Sequence, residues 1–153
     1  MGDVIRFREP EIVAVVGGLV DESRVTLGIY GDDLDPEEIS GTLGCVPTSA
    51  HRRGDARKDG VPPWTAGAWL LMIEGKAPQS PEQLLDLLLS RVPTDPQIWK
   101  RLRARFSVRM MFGIFISQWN RGFELTGAAI SRLQAIGAEV GFDIYSDLEG
   151  GDG

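Results

Sequence analysis

The run VRMMFGIFIS, from Val108 to Ser117, decides how this chain is read. In an extended strand successive side chains point to opposite sides. Val108, Met110, Phe112, Ile114 and Ile116 therefore share one face, while Arg109, Met111, Gly113, Phe115 and Ser117 share the other. A face made only of large apolar side chains demands a cover. The following residues supply one. Asn120-Arg121-Gly122 reads as a turn, and Thr126 as the N-cap of a helix with Leu125 and Ile130 as its staple pair. Its apolar face is expected at Ile130, Leu133 and Ile136, and Gly137 ends it. Val140, Phe142 and Ile144 then alternate with Gly141, Asp143 and Tyr145 in a last strand.

Upstream the pattern repeats. Val25, Leu27 and Ile29 alternate with Thr26, Gly28 and Tyr30, and Gly31-Asp32-Asp33 turns the chain. Asp35-Pro36-Glu37-Glu38 opens a helix with a capping-box variant, Leu34 and Ile39 form a staple, and Gly44 is its stop. Trp69 to Ile73 reads as a buried strand. Ser80-Pro81-Glu82-Gln83 is a capping box leading into Leu84, Leu85, Leu87, Leu88 and Leu89. Pro93 breaks that helix and Asp95-Pro96 restarts it, with Ile98, Trp99, Leu102 and Phe106 on one side. The helical segment 81–106 joins the two halves. The expected fold is α+β: a ferredoxin-like two-layer sandwich of two βαβ-like halves, with a mainly antiparallel sheet and helices on one face. Residues 24–146 form the domain, 1–23 are an extension with an edge strand at Ile12 to Val16, and 147–153 are a flexible acidic tail.

Composition narrows the function classes. The chain has 153 residues and a net charge of −6, with one cysteine and one histidine. That length supports a single core. The acidic balance disfavours nucleic acid, whose phosphates need clustered cations. One Cys, Cys45, excludes an internal disulfide, and a single His excludes a His-rich metal site. The longest apolar stretch, Ile12 to Val20, is far short of the roughly 20 residues that cross a bilayer. No secretory leader is evident, so a cytoplasmic location with a reduced cysteine is expected. No cofactor or metal is expected.

Two regions are candidates for binding. The irregular stretch 46–64 carries Arg52, Arg53, Arg57 and Lys58 against Asp55 and Asp59, a local +2 within the acidic chain. With Thr48 and His51 it suits a small anion, a nucleotide or an acidic partner. Loops of this length are often functional. The second candidate is the sheet face away from the helices, which presents Tyr30, Arg109, Met111, Phe115, Asp143 and Tyr145. Gly28, Gly113 and Gly141 lie among them and suggest a shallow slot. Exposed aromatics of this kind mark association more often than catalysis. Burial of that face under the loop or under residues 1–23 is the competing expectation. His51 and Asp55 suggest a general base, but no nucleophile completes the arrangement. Cys45 follows the electronegative end of a helix, which disfavours a thiolate. The carboxylates Asp32, Asp33, Asp35, Glu37 and Glu38 are accounted for by helix capping.

Several of these segments, taken together, are similar to a known family. They are Gly31-Asp32-Asp33-Leu34-Asp35-Pro36-Glu37-Glu38-Ile39, Leu43-Gly44-Cys45-Val46-Pro47-Thr48 and His51-Arg52-Arg53-Gly54-Asp55. Gly67-Ala68-Trp69, Trp119-Asn120-Arg121-Gly122-Phe123-Glu124-Leu125 and Phe142-Asp143-Ile144-Tyr145 complete the set. The chain resembles the bacterial family called domain of unknown function 4279 over residues 24–146. The family is defined by sequence, and the resemblance implies no activity.

The functional expectation is thus a non-catalytic module that binds a protein partner or a second copy of itself. An immunity-like role against a basic partner fits its charge and size. The alternative is a regulatory domain that holds a small anion or nucleotide in loop 46–64.

Overall fold

The structure, a computed structural model, describes residues 18–147. The strand expected at Ile12 to Val16 and most of the acidic tail lie outside them. Five strands and four helices follow in the order β1 (Glu22–Gly31), α1 (Pro36–Leu43), β2 (Ser49–His51), β3 (Gly67–Lys76), α2 (Pro81–Leu89), α3 (Pro96–Arg105), β4 (Ser107–Ile116), α4 (Gly127–Ile136) and β5 (Glu139–Ser146).

Local chemistry explains the helix ends. Asp35, Ser80, Asp95 and Thr126 each accept a backbone N–H of the first turn, and proline opens α1, α2 and α3. Ser80 and Gln83 form the reciprocal capping box. Gly44 and Gly137 close α1 and α4 with φ of 71° and 68°, a left-handed conformation that suits glycine. Glu38 does not complete a capping box. Its carboxylate pairs with Arg105 of α3 instead, tying two helices together. Segment 81–106 is two helices, because Val92 to Pro96 cannot continue a helical ladder through Pro93 and Pro96.

The strand order is β2-β3-β1-β4-β5. β3 pairs antiparallel with both β1 and β2, so those two run parallel with β3 between them. β1 pairs antiparallel with β3 and β4, so these run parallel with β1 between them. Two crossovers therefore interleave: β1–α1–β2 and β3–α2–α3–β4. The halves differ from those expected, since β2 lies within the stretch taken as a loop. The strand–helix–strand unit of residues 107–146 is an addition, with β5 parallel to β4. The sheet is accordingly mixed, not mainly antiparallel.

Val25, Leu27, Ile29, Trp69, Leu71, Met110, Phe112 and Ile114 are buried on one face of the sheet. Helices cover that face: the Trp69 indole donates to Ser40 of α1 (3.0 Å), and Leu84 of α2 packs over Gly75. Core burial of this extent is the main stabilising term of the domain. α4 buries Ala129, Leu133 and Ile136, while Ile130 is exposed. Its apolar face is thus turned by one residue from the expected one, because the i, i+4, i+7 spacing starts at Ala129. The helical layer stops over β4. Val140, Phe142 and Ile144 of β5, expected beneath it, are instead exposed by 39, 47 and 64%.

Candidate interaction surfaces

The stretch 46–64 is a structured edge. Thr48 donates its N–H to Leu70 (2.7 Å), and its hydroxyl accepts from the Met72 amide (2.9 Å). That bond uses one acceptor position of the hydroxyl to extend the sheet. Arg52 and Asp55 close a turn through the Asp55 carboxylate. Gly54 and Trp64 pinch the loop shut at its neck, by Gly54 N to Trp64 O (2.7 Å) and Trp64 N to Asp55 O (3.1 Å). Trp64 is then sandwiched. The His51 ring stacks on it at 3.7 Å between centroids, and the Arg57 guanidinium lies 3.9 Å from its ring centre.

The cations of this loop are largely committed. Arg52 pairs with the α1 cap Asp35 at 2.9 Å, and Arg53 with Asp32 at 3.7 Å. What is left at the tip is Arg57 and Lys58, which with Val61 and Trp64 line a depression of about 340 Å³. The carboxylates Asp32 and Asp35 just before α1, accounted for by capping in the sequence, also neutralise the basic loop. The loop residues 52–63 are exposed, and their contacts run to the loop itself and to the β1–α1 turn. Trp64 reaches only the β2 corner of the second sheet face through its stack on His51, and farther along Arg109 is exposed and Met111 and Phe115 are half-buried.

That face is ordered by strand register. His51, Ala68, Tyr30 and Ser107 form one row, and Ser49, Leu70, Gly28, Arg109 and Glu139 the next. Arg109 approaches Glu139 at 3.7 Å. Farther along, Lys76, Glu22, Phe115 and Tyr145 form another row, in which Phe115 and Tyr145 stack at 4.9 Å. The eight steps from Ser107 to Phe115 span about 27 Å. The structure therefore brings Thr48, His51, Arg52, Arg53 and Arg57 together at the β2 edge, with Tyr30 two strands away. It keeps Phe115 and Tyr145 in a distant corner. These candidate residues are not one site. The expected slot is also filled: a Cβ at Gly28 would lie 2.5 Å from the Tyr30 hydroxyl, and one at Gly141 2.5 Å from the Met111 sulfur. The glycines make room for neighbouring side chains within the protein.

Burial pushes the Cys45 thiol up, away from the thiolate form. Among the described residues, no group of three His, Cys, Asp or Glu side chains is placed to hold a metal ion. Among the same residues, no helix is long and apolar enough to cross a membrane. A depression of about 650 Å³ lies along α2 beside Pro78, Gln83 and Asp86, and none of the candidate residues lines it.

The surface that sequence reasoning missed is the helix-side face of β5. Phe142 stacks on buried Phe112 at 5.3 Å and tilts against Phe123 at 5.9 Å. Val140 and Ile144 flank it, and among the described residues no strand pairs with β5 on its outer side. The alternation was legible, but the extent of the helical layer was not. Neither a curated protein nor a solved structure matches the chain. A family model does, over residues 21–147, and the chain belongs to the family described as Domain of unknown function (DUF4279).

Proposed function

We propose that this protein is a non-catalytic association module whose contact surface is β5. The observation that carries the reading is an eight-residue edge strand with Val140, Phe142 and Ile144 exposed in a row on one face. Such an edge offers both outward backbone groups and apolar area, the two components of strand addition. It also lacks the usual protection. β5 contains no Lys, Pro or bulge, and both its carboxylates, Glu139 and Asp143, sit on the opposite face from the apolar row. We read the β1–β4 portion as ferredoxin-like, supported by its two interleaved crossovers. The appended α4–β5 unit then supplies the contact. A protein-binding role in the cytoplasm, immunity-like or otherwise, fits this arrangement and the acidic charge.

The alternative, a small anion in loop 46–64, has less support because Arg52 and Arg53 are already paired. Hydrogen exchange of the full chain, alone and with cell extract, tests the leading reading. Protection of the β5 amides in the associated form, lost in Ile144→Lys, is the expected result. Unchanged β5 exchange under every condition overturns it.

A further inference from the structure

We infer that the partner of β5 is the β5 strand of a second copy, paired antiparallel about a two-fold axis at Phe142. This inference rests on β5 being the contact surface. A two-fold axis normal to the sheet keeps the helices of both copies on one side and makes a continuous sheet. Opposed residues then share a face, so only registers centred on a residue are allowed. Centring on Phe142 sets Val140 opposite Ile144 of the second copy, and the two Phe142 rings opposite each other. On the other face it sets Glu139 opposite Tyr145 and Gly141 opposite Asp143. No carboxylate faces another. Centring on Gly141 opposes Asp143 to Glu139, and centring on Asp143 opposes Asp143 to itself. Like charges directly opposed across strands are destabilising, which disfavours those two registers. Centring on Val140 or Ile144 also opposes no carboxylates but leaves much of β5 unpaired, so charge and strand length together select the Phe142 register. The same register encloses the apolar row of each copy against the other's.

The other edge does not compete. β2 is three residues long and ends in the pinned loop. Strand-edge contacts of this length fall at the small end of interface sizes, roughly 1,200 Å² or less, which gives a concentration-dependent dimer in the micromolar range. Each copy carries a net charge of −6, so self-association strengthens as salt rises. Binding of a basic partner weakens with salt, which separates the two.

Sedimentation of the full chain over a range of micromolar concentrations is the test. A monomer–dimer equilibrium that tightens with salt is expected. Val140→Lys and Ile144→Glu should each weaken it at least about tenfold, because each sets a lone charge in an apolar row. The double variant, Val140→Lys with Ile144→Glu, sets the new ammonium of each copy opposite the new carboxylate of the other. It does so in the Phe142 register alone, and should recover dimerisation to within about threefold. Thermal melts of each variant report whether it is folded. A monomer at all concentrations, or a dimer insensitive to the single variants, overturns the inference. A double variant no better than the singles overturns the register. If β5 is protected from exchange only when another protein is added, the second copy is excluded while β5 remains the contact surface.

Discussion

β2 and β5 both end the sheet, and they end it in opposite ways. β2 has three residues, and its exit is closed by ion pairs and by Trp64 between His51 and Arg57. β5 has eight residues, and its apolar face projects past the helices. The two edges also reverse the expectation from charge. The basic loop looked like the binding region, but its cations are used to fasten it to Asp32 and Asp35. The strand that looked like an ordinary core element is the one left uncovered. A charged stretch in a small domain is often consumed by local pairing. An exposed apolar strand has no such internal outlet.

Phe112→Ala gives the largest effect on this contrast. Phe112 is fully buried beneath Phe142 and Phe123, so its loss should cost about 3–5 kcal/mol in chemical unfolding. A cost of less than about 1 kcal/mol would show that the β5 face is not seated on the core. Trp64→Ala comes next. Removing the centre of the His51–Trp64–Arg57 stack should cost about 1 kcal/mol and leave association unchanged. Changed association would move the contact surface to the β2 edge. Ile144→Lys sharpens the opposite end. It should alter the stability of dilute protein by no more than about 0.5 kcal/mol, since this side chain is mostly exposed, yet abolish β5 protection. Arg52→Ala is smaller in kind. The ion pair with Asp35 is half exposed, so its loss should cost less than about 1 kcal/mol and less still in high salt.

The smallest effect is a pH dependence at Asp21. Its carboxylate accepts the Ser117 amide at 2.6 Å, fastening the end of β4 to the start of β1. That bond, with Arg121 nearby, holds the Asp21 carboxyl below its usual range. A lowered folded value means that the stabilisation is present above the unfolded value near ~3.9. It is lost as pH falls through the lower folded value. Asp21→Asn should therefore flatten the fall of the thermal midpoint below about pH 4, as followed by circular dichroism.

Much of the architecture was legible because it depends on neighbours in sequence. The caps at Asp35, Ser80, Asp95 and Thr126 act within three residues, and the alternation at residues 25–30 and 108–116 is a property of the strand itself. β2 was not legible, because Ser49 to His51 has no apolar alternation and pairs only through β3. Trp64 was passed over as a loop residue. Its partners His51 and Arg57 lie thirteen and seven positions away, and only the closed neck at Gly54 and Asp55 brings them to it.

The sequence by itself determined the elements other than β2, their caps, the inward and outward faces of β1 and β4, and the single core. Those are consequences of side-chain period and of backbone groups satisfied over short distances. Tertiary structure alone decided the strand order, the pairing of the basic loop with the acidic start of α1, and the exposure of β5. The reason is geometric. A strand displays its apolar face whether or not anything covers it, and the cover depends on where α4 packs. α4 packs against α2 and α3 and leaves the last strand of the sheet outside the helical layer.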